Sequence, residues 1–144
     1  MRVLRGIVSS RFGVAARNLK IVEKLILERT GLPSMAPGTL NVTLPFDYVV
    51  RPDAAIEPHE YFTGERIKLQ RCRVREHPMI IMRPDSHELP GGIGADVLEL
   101  ISPLHLRTAW GLQDLEELEI EVEGDQSWWE RPNPTDLLRH LSRF

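Results

Sequence analysis

The alternation of apolar and polar residues along the chain predicts several short strands and one long helix. Residues 2–9 alternate loosely and predict a first strand. Within residues 16–30 the apolar side chains recur at helical spacing, and charged side chains fill the opposite face. Gly31 follows as a C-terminal cap, so we expect the helix to end there.

The remaining patterns are typical of strands separated by loops. Leu40, Val42 and Leu44 alternate with polar residues and predict a strand with one apolar face. The other segments predict strands at residues 66–75, 79–82, 97–101 and 118–123, loops at 50–60 and 85–94, and a helical turn at 104–111. The apolar parity slips between Leu69 and Cys72, which predicts a β-bulge there.

These elements predict a mostly β fold with one main helix. Five or six short strands without an alternating strand–helix rhythm favour a small barrel over a parallel sheet. A length of 144 residues fits one ordinary domain. We expect the barrel to occupy residues 1–125 and a C-terminal extension to occupy 126–144, with Trp128 and Trp129 either anchoring the extension on the barrel or stacking on a ligand.

Charge and composition narrow the classes of function. The chain has 18 basic and 21 acidic residues, a net charge of −3, so we do not expect nucleic-acid binding. It has no long apolar run, so we expect neither a membrane span nor a signal peptide, and the cytoplasm is the simplest compartment. The single cysteine cannot form an intramolecular disulfide.

The first candidate site is Gly38-Thr39-Leu40-Asn41. Thr39 and Asn41 lie two positions apart on the polar face of the predicted strand, and each offers a neutral oxygen. Mg²⁺ prefers oxygen ligands and is often completed by substrate phosphates. The segment is therefore either part of a weak Mg²⁺ site or an ordinary polar strand face.

The second candidate site is the segment at residues 99–107, in which a strand ends at a proline and turns into a helical start. Such a turn suits a phosphate, and Arg107 offers a bidentate contact to it. Glu99 offers a carboxylate that accepts hydrogen bonds from a hydroxyl or a ring N–H. The alternative is a capping turn with a surface arginine.

The two segments in this order resemble the archaeal CTP-dependent riboflavin kinase family. The resemblance rests on Gly-Thr-Leu-Asn at residues 38–41 followed by Glu-Leu-Ile-Ser-Pro-Leu-His-Leu-Arg at 99–107, and it covers about residues 3 to 124. It implies a six-stranded Greek-key barrel of the cradle-loop, riboflavin-kinase-like type. It also implies transfer of a phosphoryl group from CTP to riboflavin, which gives FMN and CDP, with Mg²⁺ as cofactor.

The resemblance also assigns residues to roles. It implies that Thr39 and Asn41 ligate the metal and that Glu99 and Ser86 contact the flavin. It implies that the nucleotide contacts come from four residues, Arg11, Gly13, His105 and Arg107.

Two segments depart from the family pattern. The family's Gly-x-Gly-Glu-Gly-Arg is reduced at residues 11–17 to Gly13 alone in register, and an Asp-Leu-Glu-Glu turn replaces the usual Gly-Asp turn before the last strand. A glycine loop lets the backbone wrap a phosphate, and a Cβ obstructs that approach. The alternative function is therefore a non-catalytic barrel that binds a flavin or nucleotide; a regulatory DNA-binding barrel is disfavoured by the acidic balance.

Overall fold

The computed structural model describes residues 1–9, 15–61, 64–124 and 129, and of residues 15–18 only the backbone. In chain order its elements are β1 (Arg2–Ser9), α1 (Ala15–Thr30), β2 (Leu40–Thr43), β3 (Ala54–Ile56), a 3₁₀ turn (Pro58–Glu60), β4 (Ile67–Val74), β5 (His77–Pro84), a second 3₁₀ turn (Asp85–Glu88), β6 (Val97–Ile101), α2 (Leu106–Trp110) and β7 (Glu117–Val122). No helix within the described ranges is long and apolar enough to cross a membrane.

Six of the strands close an antiparallel barrel, which confirms the predicted fold class. The order is β4-β5-β6-β2-β1-β7, and β7 returns to β4 through the pair Arg73 and Glu121. β2 bridges two strands that are distant in sequence, because it pairs with β1 on one side and with β6 on the other. The position of β2 therefore depends on contacts from both ends of the chain.

Two apolar clusters lie on the two sides of the barrel wall. The first fills the interior and includes Leu4, Val42 and Leu98. The second lies outside, between α1 and the outer faces of β4, β5 and β6, and includes Ile26 and Ile80. The helix therefore shields one side of the barrel and leaves the outer faces of β1 and β7 to solvent, as the exposure of alternate residues on both strands shows.

The bulge predicted in β4 is wrong. The apolar residues of this strand change faces between Leu69 and Cys72 because the two clusters lie on opposite sides of the strand. β4 pairs with β5 one residue to one residue over its whole length. Ile67 and Leu69 pack outward under α1, whereas Cys72 and Val74 point into the barrel. Each half of the strand buries its apolar residues on a different face, so the pattern changes phase while the backbone stays regular.

The segment predicted as a loop at residues 50–60 contains a short strand and a 3₁₀ turn. β3 pairs with the first half of β4, from Ala54 opposite Leu69 to Ile56 opposite Ile67. The 3₁₀ turn is fixed by an ion pair between Glu60 and Arg29 of α1, and a second Arg29 nitrogen lies 2.8 Å from the carbonyl oxygen of Ala55. These contacts join residues 54–60 to segments far away in the sequence. The composition of residues 50–60 alone therefore does not predict the strand or the turn.

Trp129 lies buried in the outer cluster. Its indole N–H donates to the carbonyl oxygens of Cys72 (3.1 Å) and Met79 (3.3 Å), and the Arg71 guanidinium lies 4.9 Å from its ring centre. Of the two predicted roles, this side chain takes that of an anchor on the barrel. Trp128 and residues 130–144 lie outside the described residues, so the division at residues 125 and 126 stays a prediction.

Gly6 on β1 lies close against β2, and we expect Gly6→Ala to destabilise the barrel. A Cβ at this position would lie 2.5 Å from Val42 Cγ1 and 2.9 Å from the Thr43 carbonyl oxygen. Overpacking of this kind costs about 1–3 kcal/mol. Urea unfolding measures the loss, and Val3→Ala on the exposed face of the same strand is the control, with a change of about 0.5 kcal/mol or less. Equal stability of Gly6→Ala and wild type would mean that β1 and β2 can move apart at no cost.

Candidate functional site

The pairing of β1, β2 and β6 brings polar residues from three distant segments into one row. Ser9 pairs with Asn41, and Asn41 pairs with Glu99. Residues on either side of each, such as Leu40 and Leu98, point into the barrel, so the row lies on its outer wall. The two segments that carry the family resemblance are therefore neighbours in space, although about sixty residues separate them in sequence.

Glu99 is a buried carboxylic acid that lies between Asn41 on β2 and Met82 on β5. It is 2% exposed, and none of the hydrogen bonds or ion pairs among the described residues involves its carboxyl group. Burial raises the pKa of Glu99 to about 7. A group with this pKa exchanges its proton near neutral pH, which is the property required of a general acid or base.

Asn41 and Thr39 differ in their surroundings. Asn41 is 5% exposed within β2, whereas Thr39 is half-buried just before the strand. Gly38 precedes them with φ of +82°, a conformation that favours glycine and that turns the chain into β2. The described residues contain no group of three or more His, Cys, Asp or Glu side chains arranged to hold a metal, so the Thr39 and Asn41 site stays a prediction based on neutral oxygens.

One pocket joins the two motif segments. Gly38 and Thr39 line one side, and His105 and Arg107 line the other. The buried Ser102 hydroxyl accepts the Leu104 N–H at 3.0 Å and shapes the turn before α2. The pocket thus contains Thr39, one of the two predicted metal ligands, together with His105 and Arg107, which are predicted to contact a nucleotide.

The two side chains on the α2 side of this pocket already have partners. The His105 ring lies with Nδ1 2.8 Å from the Thr108 hydroxyl. Arg107 Nη2 donates to the Asp114 carboxylate at 2.7 Å and to the Ser9 carbonyl oxygen at 3.2 Å. Arg107 therefore links α2 to the end of β1 and to the turn before β7.

Ser86 lies apart from this group. It is exposed in the 3₁₀ turn after β5, and its backbone N–H donates to Glu65 Oε1 at 2.8 Å. It does not line the pocket of Thr39 and Arg107. On the β5 side Glu99 pairs with Met82, four residues before Ser86. The predicted contact of Ser86 with a flavin stays a prediction. Arg11 and Gly13 lie outside the described residues.

Two residues of the site were not predicted from the sequence. Ser9 ends β1 beside Asn41, and its buried hydroxyl oxygen has no hydrogen-bond partner among the residues that the structure describes. Asp114 neutralises part of the Arg107 charge. The alternation of β1 would have placed Ser9 on the polar face, but only the pairing of β1 with β2 sets it beside Asn41.

Neither a scan against protein-family models nor a search of the curated proteins gives a match to this chain.

Proposed function

We propose that this protein is a riboflavin kinase that uses CTP as phosphoryl donor and Mg²⁺ as cofactor. The observation that carries the proposal is the joining of the two motif segments, with Asn41 opposite Glu99 in the β2–β6 ladder and Thr39 in one pocket with Arg107. Phosphoryl transfer depends mostly on positioning and charge neutralisation, so a site with few catalytic side chains is sufficient.

The metal would be held by Thr39 and Asn41. Both side chains supply neutral oxygens, which fit a hard cation whose remaining ligands are phosphate oxygens and water. Mg²⁺ held there would offset the negative charge of the transferred phosphate. Arg107 and His105, on the far side of the pocket, would contact the nucleotide.

Glu99 would accept the proton of the attacking hydroxyl. In the proposed step the 5′-hydroxyl oxygen of riboflavin forms a bond to the γ-phosphorus, and the bond from that phosphorus to the β-γ bridging oxygen breaks. The hydroxyl proton passes to the Glu99 carboxylate, and CDP leaves with the bridging oxygen. A pKa of about 7 suits this role, because the carboxylate is available at neutral pH and still binds a proton well.

We expect purified protein to convert riboflavin to FMN with CTP and Mg²⁺, and Asn41→Leu to lower kcat/KM by about 100-fold. Leucine has a similar volume but no oxygen, so the loss measures the polar contact. Chromatography of the flavin products gives the rate. Ser34→Ala, at an exposed position between α1 and β2, is the control and should retain full activity. Absence of FMN above a protein-free blank would overturn the kinase proposal.

A second candidate is a flavin-binding barrel without kinase activity. The pairing of Arg107 with Asp114 favours it, because a guanidinium that already has a carboxylate partner has less charge to offer a phosphate. A thermal-shift series separates the two functions. Stabilisation by riboflavin and FMN without stabilisation by CTP and Mg²⁺ supports the binding protein, and stabilisation by CTP supports the kinase.

A further inference from the structure

The turn before β7 displays one leucine to solvent. Leu115 is 82% exposed, and its φ is +72°, in the left-handed region that a bulky side chain rarely adopts. The turn is fixed to β1, because the Leu115 N–H donates to the Val8 carbonyl oxygen (2.8 Å) and the Val8 N–H donates to the Glu116 carbonyl oxygen (2.9 Å). Leu115 belongs to neither core cluster, so no burial in the barrel offsets the strain.

Leu115 lines an open groove, the β1 groove, on the uncovered outer face of β1, together with Ile7 and Pro45. Ile7 is 46% exposed, so its side chain and that of Leu115 both meet water. The groove follows β1 from Arg5 to Ser9, a length of about 13 Å. A small molecule needs a deeper concavity to bury most of its surface, whereas about four residues of an extended chain match this length.

The charges of the β1 groove do not balance. Arg5 lines it and is paired with Glu119 at 3.1 Å. Asp114 lines it and is paired with Arg107 at 2.7 Å. Glu117 also lines it and is exposed, and its carboxylate forms no ion pair with any residue that the structure describes. The groove therefore carries an uncompensated negative charge, which attracts a cation.

The negative charge lies beside the apolar surface. Ile7 and Glu117 are partners in the β1–β7 ladder and both face outward, so their Cβ atoms lie about 5 Å apart. In an extended chain, residues i and i+2 share a face and lie about 7 Å apart. An apolar residue and a lysine or arginine at those positions can contact Ile7 and Glu117 at the same time, since the basic side chain is long and flexible.

We infer that the β1 groove binds a short extended segment of a partner protein, in which an apolar residue is followed two positions later by lysine or arginine. The apolar residue would pack on Ile7 and Leu115, and the cation would pair with Glu117. Because the turn already holds Leu115 in place, little further ordering is needed on binding. The inference goes beyond the proposed function, since none of these residues belongs to the proposed phosphoryl-transfer site.

A second copy of the chain fits the β1 groove less well. A symmetric contact places the same surface of two copies against each other. Glu117 and Glu119 of one copy would then lie near the same carboxylates of the other. Arg5, the cation among the described lining residues, is already paired. Charge complementarity therefore favours a basic partner over self-association.

The probe is an end-labelled peptide of sequence Leu-Ser-Lys-Ser-Leu-Ser-Lys, titrated with the full chain and followed by fluorescence anisotropy. Two comparison peptides carry glutamate in place of lysine, or serine in place of leucine. We expect the Leu/Lys peptide to bind with a Kd on the order of 100 μM, because the surface is small, and the other two to bind at least about fivefold more weakly. Added salt should weaken the Leu/Lys peptide, since the ion pair is exposed.

Two variants locate the binding surface. Leu115→Gly removes apolar contact and should weaken the Leu/Lys peptide about five- to tenfold. Its melting temperature should be equal to or above that of wild type, since glycine adopts a positive φ without strain. Glu117→Gln removes the charge, and it should weaken the same peptide about three- to fivefold and reduce the dependence on salt.

Each variant has a matched control. Leu89→Gly removes a leucine that is 62% exposed in the loop between β5 and β6. Glu76→Gln neutralises an exposed carboxylate in the β4–β5 hairpin. Neither residue lines the β1 groove, so both control variants should bind the Leu/Lys peptide as tightly as wild type.

Five results would overturn the inference. Three concern the peptides: no binding of the Leu/Lys peptide by wild type up to about 1 mM, equally tight binding of the Leu/Glu peptide, or undiminished binding by Leu115→Gly or Glu117→Gln. If sedimentation shows a dimer that Leu115→Gly dissociates, the occupant is a second copy. If the peptide binds only after Arg139→Glu and Arg143→Glu are combined, the occupant is the chain's own leucine- and arginine-rich segment at residues 137–143.

Discussion

Replacing Arg83 with alanine is expected to lower the free energy of unfolding by about 3–5 kcal/mol. The Arg83 side chain is 1% exposed, and its guanidinium donates to the carbonyl oxygens of Tyr48, Ala95 (3.0 Å) and Val97 (3.2 Å). Glu88 completes the surroundings as its ion-pair partner at 3.6 Å. Alanine would remove all three guanidinium contacts and would open a cavity in the wall, although the Ala95 carbonyl would keep a bond from the Tyr48 N–H (2.9 Å).

The Arg83 contacts also fix the strands that carry the candidate site. Tyr48 follows β2, whereas Ala95 and Val97 lead into β6, so one side chain holds the segments at one end of the β2–β6 ladder. Urea unfolding at neutral pH measures the loss. Arg83→Lys keeps the charge but loses the planar fork of donors, and it should lie between alanine and wild type. The exposed Arg51→Ala is the control. A loss below 1 kcal/mol for Arg83→Ala would show that water replaces the guanidinium.

Glu99→Gln is expected to make the protein more stable than wild type at pH 8, by about 3 kcal/mol, and to have little effect at pH 4. Below about pH 4.5 the Glu99 carboxyl is protonated in both the folded and the unfolded chain. Between about pH 4.5 and 7 the unfolded chain releases this proton while the folded chain keeps it, because burial raises the pKa of Glu99 to about 7. The folded state of wild type therefore loses stability as the pH rises through this window, and glutamine removes the loss.

The measurement is the difference in unfolding free energy between Glu99→Gln and wild type from pH 4 to pH 8. Because the difference is taken at each pH, the titration of other groups cancels when the sites are independent. Glu117→Gln, at an exposed carboxylate on β7, is the control and should show no comparable dependence on pH. A difference that stays constant with pH would mean that the Glu99 carboxylate is solvated in the folded state. The same glutamine variant should lose the phosphoryl-transfer activity proposed above, so the gain in stability and the loss of activity would coincide.

Some parts of the structure follow from neighbouring residues alone. The apolar spacing of residues 16–30 and the cap at Gly31 predict a helix that is found at Ala15–Thr30, with Gly31 at φ of +83°. The alternation at residues 2–9 predicts β1 with its observed bounds. These features depend on which face of a helix or strand is apolar, and the repeat of the sequence reports that directly.

Pairing register and the use of both barrel faces were decided only by the tertiary structure. The row of Ser9, Asn41 and Glu99 requires β2 to lie between β1 and β6, which no local pattern specifies. In β4 the apolar residues change from one face of the strand to the other, and the sequence pattern predicts a bulge at that point. The prediction fails because the spacing of apolar residues shows that each half of the strand is buried on one face, but it does not show that two different clusters bury them.

Local patterns in the sequence thus specify the β-rich class, the single long helix and the order of the two motif segments. The tertiary structure decided that those segments meet, that Glu99 is buried enough to titrate near neutral pH, and that Leu115 is held in solvent with a positive φ. The physical reason is the range of the interactions. Helix and strand periodicity depends on residues within a few positions of one another, whereas register, burial and the pKa of a buried group depend on contacts between segments far apart in the chain.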